Sequence, residues 1–138
     1  HPQWLAQRRR FLTILEQQNR LERMARIIGK DALPPKQQLI LLCAELINEA
    51  FLRQSAFSET DRYCSPERQV VLMQTIDRFI DLATHAVEQG MDIEQIANMP
   101  ELRKLRRMNE DIDEQHLELF QLLREEMENS FAKRLKGA

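Results

Sequence analysis

Apolar residues recur along this chain at helical spacing, and prolines and glycines mark where each run begins and ends. Phe11, Ile14, Gln18, Leu21, Ala25 and Ile28 are spaced 3, 4, 3, 4 and 3 apart, a stripe of period 3.5. The stripe predicts a helix over residues 3–28, opened by Pro2 and closed by Gly29, with Arg8, Arg9, Arg20, Arg23 and Arg26 mostly off it. Pro34 and Pro35 start a second helix, since proline in a first turn gives up only N–H groups that had no intrahelical partner. Its wide apolar face (Leu39, Leu42, Cys43, Leu46, Ile47, Ala50, Phe51) ends near Gln54. Residues 55–64 carry turn chemistry and no period. Ser65-Pro66-Glu67 then supplies a capping hydroxyl, a first-turn proline and an acid at the positive helix end. Val70, Met73, Ile76, Ile80, Ala83 and Val87 carry this third helix to Gly90. Asp92 with Gln95 resembles a capping box, and Pro100 opens a further helical stretch over residues 101–107. Asn109 to Asp113 is a polar interruption before a last helix with Leu117, Phe120, Leu123, Met127 and Phe131 on one face. Nothing reads as a strand. The expected fold is an all-α bundle of four to six helices, as one domain over residues 1–138.

Composition narrows the class. Of 138 residues, 43% are hydrophobic and 30% charged, a globular balance. The longest apolar run, Leu39 to Ala44, falls far short of the roughly 20 residues a membrane span needs, so no membrane insertion is expected. The start, His1-Pro2-Gln3-Trp4, lacks a signal-peptide layout and reads as the cut end of a longer chain. Cys43, on an apolar face, and Cys64, in a turn, read as reduced thiols of a cytosolic protein. The net charge of −2 is unevenly spread: residues 1–30 hold seven Arg/Lys and two Asp/Glu, residues 109–138 four and eight. A basic arm for nucleic acid would show interleaved aromatics, which are missing, so no nucleic-acid partner is expected. The two terminal helices are instead expected to lie side by side and complement each other.

Catalytic patterns are absent. There is no phosphate-cradling glycine loop; of the histidines that could serve as a catalytic imidazole (His1, His85, His116), His85 sits in the third helix among Ala and Thr and reads as a packed or half-exposed residue. Asp113 and His116, at i and i+3, with Glu45 and Glu49 as further carboxylates, resemble half of a di-iron site. Such sites need two Glu-x-x-His motifs and two further Glu, so no metal is expected. Glu125, Glu126 and Glu128 read as a solvated face, and the six Met as core filler. On residues alone, the chain is either a freestanding helical interaction module or a helical part of a larger machine.

The blocks Leu21 to Pro34, Leu39 to Leu52, Gln54-Ser55-Ala56-Phe57 and Asp61-Arg62-Tyr63-Cys64-Ser65 follow one another at consistent spacing. This run, over residues 11–90, resembles the C-terminal helical domain of the catalytic A subunit (alpha chain) of V/A-type rotary ATPases and ATP synthases. The resemblance implies that the β-barrel, the insert domain and the nucleotide-binding domain with its ATP/ADP and Mg²⁺ site lie outside this sequence. The chain alone is then without ATPase activity or cofactor. Its implied partners are the nucleotide-binding domain of the same subunit, the non-catalytic B subunits and the central rotor stalk. The implied setting is cytoplasmic, peripheral to a membrane across which H⁺ or Na⁺ moves.

By the same resemblance, Lys30, Asp31, Ala32, Leu33, Pro34, Pro35 and Lys36 form the helix-turn-helix tip that touches the stalk. In the related F-type subunit this tip is strongly acidic; here it has two bases and one acid. Contact is therefore expected to be steric or apolar, through Leu33 and the stiff proline pair. Phe57, with Gln54, Ser55 and Ala56 nearby, falls where the family sets an aromatic ring against the adenine of the nucleotide. A nucleobase offers a π-face to such a ring.

Overall fold

The computed structural model describes residues 2–52 and 65–137. Six α-helices run through them: α1 (Pro2–Ile28), α2 (Pro35–Ile47), α3 (Pro66–Glu88), α4 (Ile93–Ala97), α5 (Pro100–Asp111) and α6 (Glu118–Lys136). Among the described residues there is no strand, and the all-α bundle expected from the periodicity is what forms.

The punctuation acts as local chemistry requires. Gly29 ends α1 with φ of 90°, a conformation that costs a side-chain-bearing residue strain, and its N–H bonds the Ala25 carbonyl at 2.9 Å. Gly90, at φ of 96°, closes α3 with a paired cap: Met91 N–H bonds Ala86 O at 2.9 Å and Gly90 N–H bonds Val87 O at 3.0 Å. The Ser65 hydroxyl accepts from the Arg68 N–H at 3.1 Å, one turn into α3. Asp92 departs from expectation: it precedes α4, but its side chain makes no capping bond. The second helix runs on as a π turn over Asn48–Leu52. Neighbours hold that turn on two sides, because Asn48 donates to Gln18 at 3.1 Å and Glu49 accepts from Arg106 at 2.9 Å.

α1 and α2 form an antiparallel hairpin. Its order is visible in pairs that run in opposite directions along the two helices: Phe11 edge-on to Phe51, Gln18 to Asn48, and Leu21 packed with Leu41. α3 lies across the hairpin and against α6, with Phe79 tilted on Phe131 and Arg78 bonded to Glu128 at 2.9 Å. α5 runs antiparallel to α6, joined by Lys104–Glu126 at 2.8 Å and by Ser130 donating to Glu101 at 2.7 Å. One buried cluster, with Phe11, Leu46, Ile76, Phe79, Leu105 and Phe120 among its members, reaches into α1, α2, α3, α5 and α6.

The two terminal helices, expected to lie side by side, are not principal packing partners among the described residues: α1 packs mainly on α2 and α3, and α6 on α3 and α5. The charges are met elsewhere. Arg10 of α1 reaches Asp77 and Asp81 of α3, each at 2.8 Å, and the acids of α6 meet Arg78 and Lys104. Burial works against the charge on Arg10, yet the two carboxylates outweigh it and raise its pKa. Arg68 is more deeply embedded than Arg10. It bonds the Asn109 side chain at 2.8 Å and backbone carbonyl at 2.7 Å, lies over the Phe120 ring, and faces Glu114 at 3.8 Å.

Candidate functional site

The end of the α1–α2 hairpin is the part of the resemblance that the structure describes in full. A short 3-10 turn, Lys30–Ala32, follows Gly29, and Leu33 and Pro34 are extended before Pro35 opens α2. Gln38, one turn into α2, folds back and donates to the Leu33 carbonyl at 2.8 Å, so the turn is tied to the helix it feeds. Lys30, Asp31, Ala32, Pro34, Pro35 and Lys36 are all exposed.

Leu33 is not. It is 2% exposed and packs with Leu21 and Leu41, flanked by Met24, Ala25 and Ile40. The expectation that Leu33 supplies an outward apolar contact is corrected: an extended backbone at Leu33 turns the side chain inward, where it closes the seam between the two helices. The outward apolar groups are Ile27, 83% exposed, and Ile28, 52% exposed. Ile28 sits on the sequence stripe, but Leu33 caps the seam before the helix ends and leaves the last turn uncovered. Ile27 carried a legible signal, since it is a large aliphatic residue on the polar face of α1, next to Arg26 and about one turn from Arg23. A substitution series separates the two roles. Leu33→Ala should destabilise the isolated chain by about 2–3 kcal/mol, as for a buried leucine in a small cluster. Lys36→Ser should change it by less than about 0.5 kcal/mol in urea unfolding.

The second expected site, Phe57 with Gln54, Ser55 and Ala56, lies outside the described residues, as do Tyr63 and Cys64. Its described approach is the π turn, held by Gln18 and Arg106. Cys43 is described: it is buried in α2, and desolvation pushes its thiol up to about 12, against a small opposing effect of Arg10. Such a thiol is inert at neutral pH.

The residues that resembled half of a di-iron site are not brought together. Glu45 and Glu49 bracket Arg106, at 3.6 and 2.9 Å. Asp113 and His116 pair with each other at 2.6 Å in the exposed turn before α6. No group of three or more His, Cys, Asp or Glu that could hold a metal occurs among the described residues. The hydrogen bond raises the pKa of His116 above its ordinary 6.5 and lowers that of Asp113 below its ordinary 3.8. The histidine's contribution to stability is thus full below pH 6.5 and is lost as pH rises through its raised pKa. The aspartate's is present above pH 3.8 and is lost as pH falls through its lowered pKa. NMR titration should find the His116 pKa above 6.5 in the native chain and returned toward 6.5 by Asp113→Asn.

A helical hairpin with a stiffened, uncovered end, carried on a bundle, defines the class: an all-α domain with one hairpin end left uncovered among the described residues. The family described as the C-terminal domain of V and A type ATP synthase matches residues 1–97, and the chain belongs to that family. The chain is 38% identical over 112 residues to the A subunit of the A-type ATP synthase of Pyrococcus horikoshii, covering 81% of this chain and 12% of that protein. To the A subunit of the A-type ATP synthase of Thermococcus sibiricus it is 37% identical over 134 residues, covering 96% of this chain and 23% of that protein. The chain thus spans between about an eighth and a quarter of the length of these relatives. No described helix is long and apolar enough to cross a membrane.

Proposed function

We propose that this chain is the lever of a rotary ATPase or ATP synthase catalytic subunit, transmitting motion between a nucleotide-binding domain and a central stalk. The observation that carries the reading is the hairpin end: internally plugged by Leu33, braced by Gln38, and uncovered at Ile27 and Ile28. A part that pushes must be stiff inside and unsatisfied outside, and the membership of the family supplies the machine in which it would push. ATP or ADP with Mg²⁺ would be held by the adjoining domain of the same subunit, where the chemistry occurs. This chain holds none of it and hydrolyses no ATP alone. The partners in the complex would be that domain, non-catalytic B subunits and the stalk. The domain would sit on the cytoplasmic side, in the catalytic head above a membrane sector moving H⁺ or Na⁺.

Exposed side chains contribute little to the fold, so Ile27→Ser with Ile28→Ser should leave the isolated chain's thermal stability nearly unchanged. In the complete enzyme the same pair should let ATP hydrolysis continue while ions moved per ATP fall several-fold. Wild-type coupling in that variant overturns the lever reading.

Phe57 would stack on the adenine ring from the segment that follows α2. Phe57→Ala in the complete enzyme should raise the KM for ATP several-fold, on the order of 1 kcal/mol, with kcat less affected because no transition-state charge is touched. An unchanged KM would make the residue part of the packing instead.

A further inference from the structure

On the strength of the lever reading above, we propose that the hairpin end docks on an acidic surface of the stalk, with the tip cations against that partner's carboxylates and Ile27 and Ile28 on apolar side chains between them. The charge at this end is one-sided. Arg23, Arg26, Lys30 and Lys36 all lie within seven residues of Gly29 and all are exposed. Asp31 is the one acid between Arg23 and Glu45. Glu22, just outside this stretch, is half-buried and accepts from Gln18 rather than from a tip cation. Among the described residues none of the four cations makes an ion pair, whereas Arg10, Arg78, Lys104 and Arg106 in the body of the bundle each reach a carboxylate.

Local structure accounts for half of this collar. Arg23 and Arg26 are near the C-terminal end of α1, whose partial negative charge favours cations. Lys36 has no such reason. It is the second residue of α2, where the positive end of the helix repels it, and no acid is present in that first turn. A lysine placed against its own helix dipole, at an end with two exposed isoleucines and two exposed prolines, is relieved by an external carboxylate. The aliphatic pair needs an apolar seat, and Asp31 in the middle of the turn disfavours a uniformly anionic partner such as a phosphate backbone or lipid headgroup layer. A protein surface that alternates apolar side chains with Asp or Glu fits both requirements.

The complete assembled enzyme is treated with a water-soluble carbodiimide. The reagent activates a carboxylate, a touching lysine Nζ displaces it to form an amide with loss of a proton, and the reagent leaves as the urea. Mass spectrometry should find Lys30 or Lys36 joined to an Asp or Glu of the stalk, and Lys30→Arg with Lys36→Arg should abolish the product. Lys36→Glu should lower ions moved per ATP several-fold, while Lys36→Arg should keep them. A longer amine-to-amine reagent provides the discriminating arm. If it joins the tip to the stalk while the carbodiimide does not, the stalk meets the tip through a non-acidic surface, and this inference falls with the lever reading intact. If neither reagent reaches the stalk, or the carbodiimide joins the lysines to another subunit, both fall.

Discussion

The bundle depends on one helix having an apolar face wide enough for two sets of neighbours. In α3, Leu72, Met73, Ile76, Phe79, Ile80, Ala83 and Ala86 are all buried, with Thr75 buried among them. That face serves the α1–α2 hairpin on one side and α6 on the other, so a single continuous core can form instead of two thin ones. Thr75 needs no outside partner, because its hydroxyl bonds the Val71 carbonyl of its own helix at 2.6 Å. Losing α3 from the middle would leave a helical hairpin and a second helix pair, each with its apolar stripe in water.

Polar joints then fix how the neighbours sit on that face. Arg68 costs desolvation to bury, which three hydrogen bonds to Asn109, the face of Phe120 and the nearby Glu114 offset. Its geometry ties the start of α3 to the end of α5 and the start of α6. Arg106, held by Glu45 and Glu49, ties α5 to the far end of the α1–α2 hairpin. Through these two arginines residues 98–138, which lie beyond the family match, are joined to the part that the family defines.

The same hairpin is secured at one end and bare at the other, which is the mechanical content of the lever reading. At the root, Gln18, Asn48, Glu49 and Arg106 form a chain of polar contacts from α1 through the π turn to α5. At the tip, Leu33 and Gln38 stiffen the turn from within, while Lys30 and Lys36 make no ion pair among the described residues. In the proposed lever, force applied at the tip would be carried along two packed helices.

The class of fold and most helix starts were legible in the sequence, because periodicity, first-turn prolines, the Ser65 cap and glycines at positive φ act within a few residues of themselves. The end of α5 was not, since the helix expected over residues 101–107 runs on through the polar Asn109 to Asp111. The family was legible for a similar reason, as ordered blocks of residues in one stretch of chain. Which helix meets which was not. Opposite charges on α1 and α6 promised a contact, yet each helix found its counter-charges on α3 and α5, since packing of apolar faces decides proximity and surface ion pairs contribute too little to override it. The tip shows the same division at the scale of one turn. The sequence by itself determined that a turn with Gly29 and a proline pair would join two helices there. Only the tertiary structure decided that Leu33 faces inward and Ile27 and Ile28 outward, because the direction of a side chain in a non-repeating turn depends on the seam it can fill, and that seam exists only once both helices are in place.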